Sequence, residues 1–131
     1  MEGKNLYKCK ENCNILKNCC HNTKNRVISE LCICDNSLKN KLAKYLKCLM
    51  ILECLCTYIC CCCCNDDYVS KTILIELNNK CDTISHCCND LKKHLSNDKF
   101  KYINCDKIVK YCKKCKSMKK NKNTMKKNKK K

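Results

Sequence analysis

The sequence predicts an all-α protein, an antiparallel four-helix bundle whose core is lined with cysteine. Three observations lead to this prediction. The 131 residues include no proline and one glycine, which leaves little material for the tight turns of β-hairpins. Apolar and cysteine side chains recur every three or four residues through four segments, which is the spacing of one helix face. Clusters of Asn, Asp and Ser separate these segments.

The four predicted helices are joined by short polar links. Their expected bounds are Leu6–Cys20, Arg26–Cys64, Lys71–Leu95 and Phe100–Met118. The polar clusters that separate them are His21–Asn25, Asn65–Ser70 and Ser96–Lys99, with a weaker cluster at Asp35–Ser37 that would break the second helix. Short polar side chains favour helix N-caps, so Asn36 or Ser37 would begin the second helix after that break, and Ser70 the third.

Each predicted helix has one inward face. The first and fourth present Cys9, Cys13, Leu16 and Cys20, and Cys105, Ile108, Cys112 and Cys115. The second presents Leu38, Leu42, Tyr45, Leu49, Leu52, Cys56, Ile59, Cys60 and Cys63. The third presents Ile73, Leu74, Leu77, Cys81, Ile84, Cys87, Cys88, Leu91 and Leu95.

The positive charge is concentrated at the C-terminal end. The net charge is +17, and the residues after Lys113 are rich in lysine and contain no acidic residue. We therefore expect residues 1–118 to form one cysteine-rich domain and residues 119–131 to be a disordered basic tail. Such a tail permits non-specific contact with nucleic acid, although it lacks aromatic residues for base stacking. The sequence leaves self-association into a homo-oligomer open.

The densest cysteine run, Cys48–Cys64, allows three interpretations: a membrane span, a disulfide framework or metal ligation. Glu53 lies inside the run and disfavours a membrane span. Adjacent cysteines, as in Cys60–Cys64, have Cα atoms too close for ordinary disulfides with each other. The first residues contain no apolar signal segment, so we expect the reducing cytoplasm, where thiols remain free for metal.

Thiols with few histidines select soft ions, namely Cu(I), Zn(II) or an iron–sulfur cluster. Cys112 and Cys115 form a C-x2-C pair, whereas structural zinc sites usually combine two such units, and the ferredoxin spacing is absent. Cysteines four residues apart on a helix, such as Cys56 and Cys60, bring two sulfurs within reach of one ion. Two ligands satisfy Cu(I), so the pattern favours Cu(I), with zinc and iron–sulfur binding as alternatives. A further alternative is a basic nucleic-acid-binding protein whose cysteines only fill the core.

The predicted metal ligands are Cys9, Cys13, Cys20, Cys48, Cys56, Cys60, Cys63, Cys81, Cys87, Cys88, Cys105, Cys112 and Cys115. Five other cysteines are expected not to bind metal: Cys32, Cys34, Cys54, Cys61 and Cys64. His21 and His86 are expected to be polar surface groups. Ser-His-Asp sets, carboxylate pairs and phosphate-binding loops are absent from the sequence, so we do not expect an enzyme.

The chain resembles the four-helix-bundle copper-storage proteins. The resemblance lies in Cys9-x3-Cys13-x2-Leu16-x3-Cys20, in Cys105-x2-Ile108-x3-Cys112-x2-Cys115, in Cys56-Thr-Tyr-Ile-Cys60 and in the stretch from Ser70 to His94. It implies storage or detoxification of several Cu(I) ions on inward thiolates. It also implies that His94 belongs to the metal site, at the end of the bundle where copper enters. The chain has other residues where the family usually has cysteine: Leu16, Leu77, Lys80, Ile84, Leu91 and Ile108. Fewer inward thiols imply a lower copper capacity.

Overall fold

The computed structural model describes residues 2–61 and 67–115, and the side chains of residues 10–60 and 71–115. Those residues form five helices and no strand: α1 (Glu2–Ile33), α2 (Asn36–Cys61), α3 (Asp67–His94), α4 (Asn97–Tyr102) and α5 (residues 105–115). The prediction of an all-α protein is confirmed for this part of the chain. The predicted tail, residues 119–131, lies outside it.

Helix α1 continues through His21–Asn25, where the sequence predicted a break. The reason lies in packing. Thr23 and Val27 are fully buried, and Asn104 donates a hydrogen bond from Nδ2 to the Thr23 hydroxyl over 3.1 Å. The inward face of α1 therefore extends beyond Cys20 at the same spacing, and polar residues on its outer side do not interrupt the helix.

The first break falls instead at the weaker polar cluster, Asp35–Ser37. The Asp35 carbonyl accepts hydrogen bonds from the amides of Leu38, at 3.2 Å, and Lys39, at 3.1 Å, which starts α2. The Ser37 hydroxyl donates to the Asp35 carboxylate over 3.1 Å. The predicted helix Arg26–Cys64 is therefore two helices, and Asp35 takes the capping position predicted for Asn36 or Ser37.

Two other predicted boundaries are wrong. Helix α3 begins at Asp67, so Ser70 lies inside the helix and does not cap it. The predicted helix Phe100–Met118 is divided at Asn104, whose φ of 57° is left-handed and ends the helical path. Asparagine tolerates this conformation better than most residues. The short α4 before it is capped by Ser96, whose hydroxyl accepts from the Lys99 amide over 3.3 Å.

Neighbouring long helices run in opposite directions. Helix α1 packs on α2, where Glu53 of α2 is hydrogen-bonded to His21 and forms an ion pair with Lys24. Helix α2 packs on α3, where Lys41 Nζ lies 2.8 Å from Asp90 Oδ2. One continuous apolar core takes side chains from all five helices. Burial of the inward faces predicted for α2, α3 and α5 is confirmed at most positions, including every predicted position on α5.

The part of Cys48–Cys64 that the structure describes belongs to α2 and packs in this core. None of the helices in residues 2–61 and 67–115 combines the length and hydropathy that a bilayer crossing requires.

Candidate metal centre

The core contains most of the cysteines predicted as ligands. Nine of them are buried: Cys13, Cys20, Cys48, Cys56, Cys81, Cys88, Cys105, Cys112 and Cys115. Cys60 and Cys87 are half-buried and border the core. The side chains of Cys9 and Cys63 lie outside the described residues. Cysteines therefore alternate with leucine and isoleucine along the inward faces, as the helical spacing predicts.

The cysteines not expected to bind metal lie mostly away from this core. Cys32 and Cys54 are exposed, and Cys34 is half-buried at the end of α1, where its thiol donates to the Leu31 carbonyl over 3.7 Å. The side chains of Cys61 and Cys64, like that of Cys62, lie outside the described residues. Their exposure places the Cys32 and Cys54 thiols outside the core in which the predicted ligands lie.

Four thiols, one from each long helix, form the central thiol layer: Cys20, Cys56, Cys81 and Cys112. None of the four is more than 1% exposed. Cys112 is hydrogen-bonded to the Cys81 side chain and interacts electrostatically with Cys20. Cys20 in turn interacts with Cys56 and Cys81. The layer therefore joins α1, α2, α3 and α5 through sulfur.

Two thiols of this layer, Cys20 and Cys112, keep their protons. Burial raises the pKa of Cys20 far above the ordinary range, because a thiolate in the core loses its hydration. The pKa of Cys112 is raised by its hydrogen bond to Cys81 and then by burial. In the metal-free protein these side chains are therefore neutral thiols that pack as small apolar groups.

A second thiol pair, Cys88 and Cys105, joins α3 to the start of α5. The Cys88 thiol donates to the Cys105 carbonyl over 3.9 Å, and its side chain is also hydrogen-bonded to that of Cys105. This contact and burial raise the pKa of Cys88. Tyr45 lies beside the pair, and its pKa is raised by burial and by both thiols.

A third pair, Cys48 and Cys87, joins α2 to α3 nearer the surface. The two side chains are hydrogen-bonded to each other. Burial and the neighbouring Cys48 raise the pKa of Cys87 to about 11, while Lys44 opposes this rise. Burial also raises the pKa of Cys48. This pair is therefore easier to deprotonate than the pairs at the centre of the core.

Thiols thus meet between helices, whereas the sequence predicted pairs along single helices. Cys56 belongs to the central thiol layer. Cys60, four residues later, has its Sγ 3.5 Å from the Lys10 carbonyl of α1, to which it donates. The spacing along each helix predicted which thiols face inward. The sequence does not show the register between helices, which decides which of these thiols meet.

His94, which the resemblance placed at a copper entrance, is the last residue of α3 and is exposed. Its Nδ1 lies 2.9 Å from the Asp90 carbonyl and donates to it, which orients the ring. The neighbouring carboxylate of Asp90 is held by Lys41, whose hydrogen bond lowers the Asp90 pKa. His94 is therefore a surface group at one end of the helix.

Two residues beside the thiols were not predicted as site residues. Cys19 precedes Cys20, is half-buried and is hydrogen-bonded to Thr23, and burial raises its pKa. The adjacent cysteines Cys19 and Cys20 were the sequence feature that could have indicated this position. Cys87 and Cys88 show the same arrangement of one outer and one inner thiol. Tyr45 was predicted to face the core, but its contact with a thiol pair was not.

In residues 2–61 and 67–115, no three cysteine, histidine or carboxylate side chains form a ready-made metal site. The thiols that do meet are mostly paired, and burial raises the pKa of several of them, such as Cys20, Cys88 and Cys112. Metal ligation at these positions therefore requires loss of protons and small rotations of the cysteine side chains. Compared with known proteins, the chain matches no protein-family model, no curated protein and no solved structure.

Proposed function

We propose that this protein sequesters several Cu(I) ions on cysteine thiolates inside an antiparallel four-helix bundle made of α1, α2, α3 and α5. The protein acts in copper storage or detoxification in the cytoplasm and is not an enzyme. The observation that carries this proposal is the meeting of thiols from different helices at buried positions, as in Cys81–Cys112 and Cys88–Cys105.

The donor atoms fit a soft ion that accepts few ligands. Thiolates select Cu(I) over hard cations, and two sulfurs are enough to hold it. Structural zinc takes four ligands in a tetrahedron. The side chains of Cys81 and Cys112, and those of Cys88 and Cys105, already meet in pairs, so binding needs loss of protons and only small rotations of these side chains. Each ion that binds releases protons, and binding therefore strengthens as pH rises.

Aliphatic residues separate the thiol pairs and favour several distinct sites. Ile84 lies between Cys81 and Cys88 along α3, and Ile108 lies between Cys105 and Cys112 along α5; both isoleucines are fully buried. These side chains place apolar layers between sulfur layers. Apolar surroundings exclude water from a bound ion, which suits retention of the ion.

The test is anaerobic titration of the reduced protein with Cu(I). We expect at least about four ions per chain, taking two thiolates per soft ion. The double variant Cys81→Ser/Cys112→Ser should lose about one ion. Cys32→Ser/Cys54→Ser, which changes two exposed thiols, is the matched control and should retain the capacity. Circular dichroism of each variant checks that the helices remain.

Saturation below about four ions, or stronger binding of Zn(II) than of Cu(I), would contradict the proposal. Equal loss of capacity in the buried and exposed double variants would also contradict it, because the sites would then not lie in the core. Colour and iron content after purification under nitrogen would reveal an iron–sulfur protein instead.

A further inference from the structure

We propose that the groove between α3 and α5 is the docking site for a small anionic thiol complex of Cu(I), which delivers its ion to Cys88 and Cys105. This inference rests on the proposed function and adds to it the chemical class of the copper donor and its point of access. A cavity of about 340 Å³ lies in this groove. That volume is in the range of pockets that hold small molecules.

The groove is lined in part by a core thiol, that of Cys88. Cys88, which is only 3% exposed and is paired with Cys105, lines the cavity. Phe100 and Val109 provide apolar wall beside it. A ligand in the groove therefore reaches a buried thiol pair without passing through the end of the bundle, where His94 lies.

The charge at the groove selects an anion. Lys92, Lys110 and Lys113 line it, and Asp106 is the acidic residue among the lining side chains, so the lining is positive overall. The three lysines are exposed and reach water. Such a charge attracts a carboxylate-bearing thiol and its Cu(I) complex, and it repels a bare Cu(I) cation. Charge and the core thiol together thus indicate an anionic copper–thiol complex.

Delivery is an exchange of ligands without a change in oxidation state. The sulfur of Cys88 bonds to the copper as one donor thiolate leaves, and the proton of the Cys88 thiol passes to that thiolate. Cys105 replaces the second donor thiolate in the same way. Copper remains Cu(I), two copper–sulfur bonds form and two break, and two protons move to the departing thiols.

A competing point of access is the more exposed pair Cys48–Cys87. Lys44 and Lys47 lie close enough to these thiols to affect their pKa values, so this pair also has positive charge beside it. Lysines of this region of α2 therefore provide the control for the groove.

The experiment measures the rate of copper uptake by the full chain from two donors, the anionic Cu(I)–glutathione complex and the cationic Cu(I)–acetonitrile complex. The test variant is Lys92→Gln/Lys110→Gln/Lys113→Gln. The control is Lys39→Gln/Lys44→Gln/Lys47→Gln, which removes the same charge from exposed positions on α2. We expect the test variant to take up copper from glutathione roughly tenfold more slowly, which is the lower end of electrostatic steering.

The same variant should take up copper from the cationic acetonitrile complex at least as fast as the wild type, because it no longer repels a cation, and it should reach the wild-type capacity. The control should match the wild type with both donors. Unchanged uptake from glutathione in the test variant would overturn the inference, and so would equal slowing in both variants. If the wild type takes up no copper from either donor, the proposed function itself fails, and this outcome is distinct from the others.

Discussion

Two regions of the core differ in the bonds that hold them. The central thiol layer, Cys20, Cys56, Cys81 and Cys112, is held by packing and by weak sulfur contacts. The turn between α4 and α5 is held by oxygen and nitrogen groups at short distances. We call it the polar clamp; it comprises Thr23, Arg26, Tyr45, Ile103 and Asn104.

The polar clamp joins two helices, α1 and α2, to one turn. The buried Tyr45 hydroxyl of α2 donates to the Ile103 carbonyl over 2.8 Å. From α1, Arg26 donates to the Tyr102 carbonyl over 3.1 Å, and its guanidinium lies 5.4 Å from the centre of the Tyr102 ring. Asn104 reaches back to Thr23 of α1. Each of these bonds has a direction, so together they define the position of the turn.

The difference indicates that the two regions have different roles. A thiol is a weak hydrogen-bond donor and acceptor, and it behaves in a core as a small hydrophobe. The central thiol layer can therefore rearrange around an ion at little cost, while the polar clamp keeps the helices in register. The following predictions test this comparison, from the largest expected effect to the smallest.

The largest effect is expected at Tyr45 in the polar clamp. Tyr45→Ala should lower the free energy of unfolding by about 4 kcal/mol, because it empties a fully buried aromatic position. Tyr45→Phe should cost only about 1 kcal/mol, since it removes the hydrogen bond to Ile103 and keeps the ring. Urea unfolding of the reduced protein measures both. A loss for Tyr45→Phe as large as that for Tyr45→Ala would contradict the packing argument.

A rise in pH should lower the free energy of unfolding of the protein without bound metal, because its buried thiols resist ionisation. Cys20, Cys88 and Cys112 have pKa values raised above the ordinary 9.0, so they retain protons in the fold while the unfolded chain loses them. Stability is therefore complete below about pH 9 and falls above it. Between pH 7.5 and 9.5 the three thiols together should reduce the free energy of unfolding by about 2–3 kcal/mol.

Urea midpoints at the two pH values measure this loss, and Cys88→Ala, which removes one of the three thiols, should show a smaller one. Equal stability of the wild type at both pH values would show that the core thiols are not protected from ionisation, against the description of the central thiol layer.

The smallest effect is expected at Asn104, where two contributions can be separated. Asn104→Ala should cost about 2 kcal/mol, because alanine at a φ of 57° is strained and the hydrogen bond to Thr23 is lost. Asn104→Gly should cost about 1 kcal/mol, since glycine accepts this conformation and only the side-chain hydrogen bonds with Thr23 and Arg26 are lost. Thermal unfolding of the two variants provides the comparison, and greater stability of the alanine variant would contradict it.

The inward faces of α2, α3 and α5 were predictable because apolar side chains at helical spacing must be buried together. Cys105, Ile108, Cys112 and Cys115 on α5 were predicted as one face, and all four are buried. The continuation of α1 was missed because its stripe passes through Thr23, a polar residue whose hydroxyl finds a partner in Asn104. A polar residue satisfied by a distant partner looks the same in the sequence as one exposed to water.

The division of α4 from α5 was missed for a similar reason. Phe100, Ile103 and Cys105 are all buried, but they do not lie on one helical face until Asn104 turns the chain. The short helix then carries Phe100 into the core, and the turn brings Ile103 to Tyr45. Contacts with α1 and α2 stabilise this turn, and residues far away in the sequence supply them.

By itself, the sequence determined the helical class and the inward thiols, because both follow from local spacing and from the absence of proline and near absence of glycine. Only the tertiary structure decided which thiols meet, since pairing depends on the register between helices. Cys81 meets Cys112, and Cys48 meets Cys87, because the packing of the helices sets that register. The candidate metal ligands could thus be predicted from local sequence spacing, whereas their grouping into pairs depends on how the helices pack in the core.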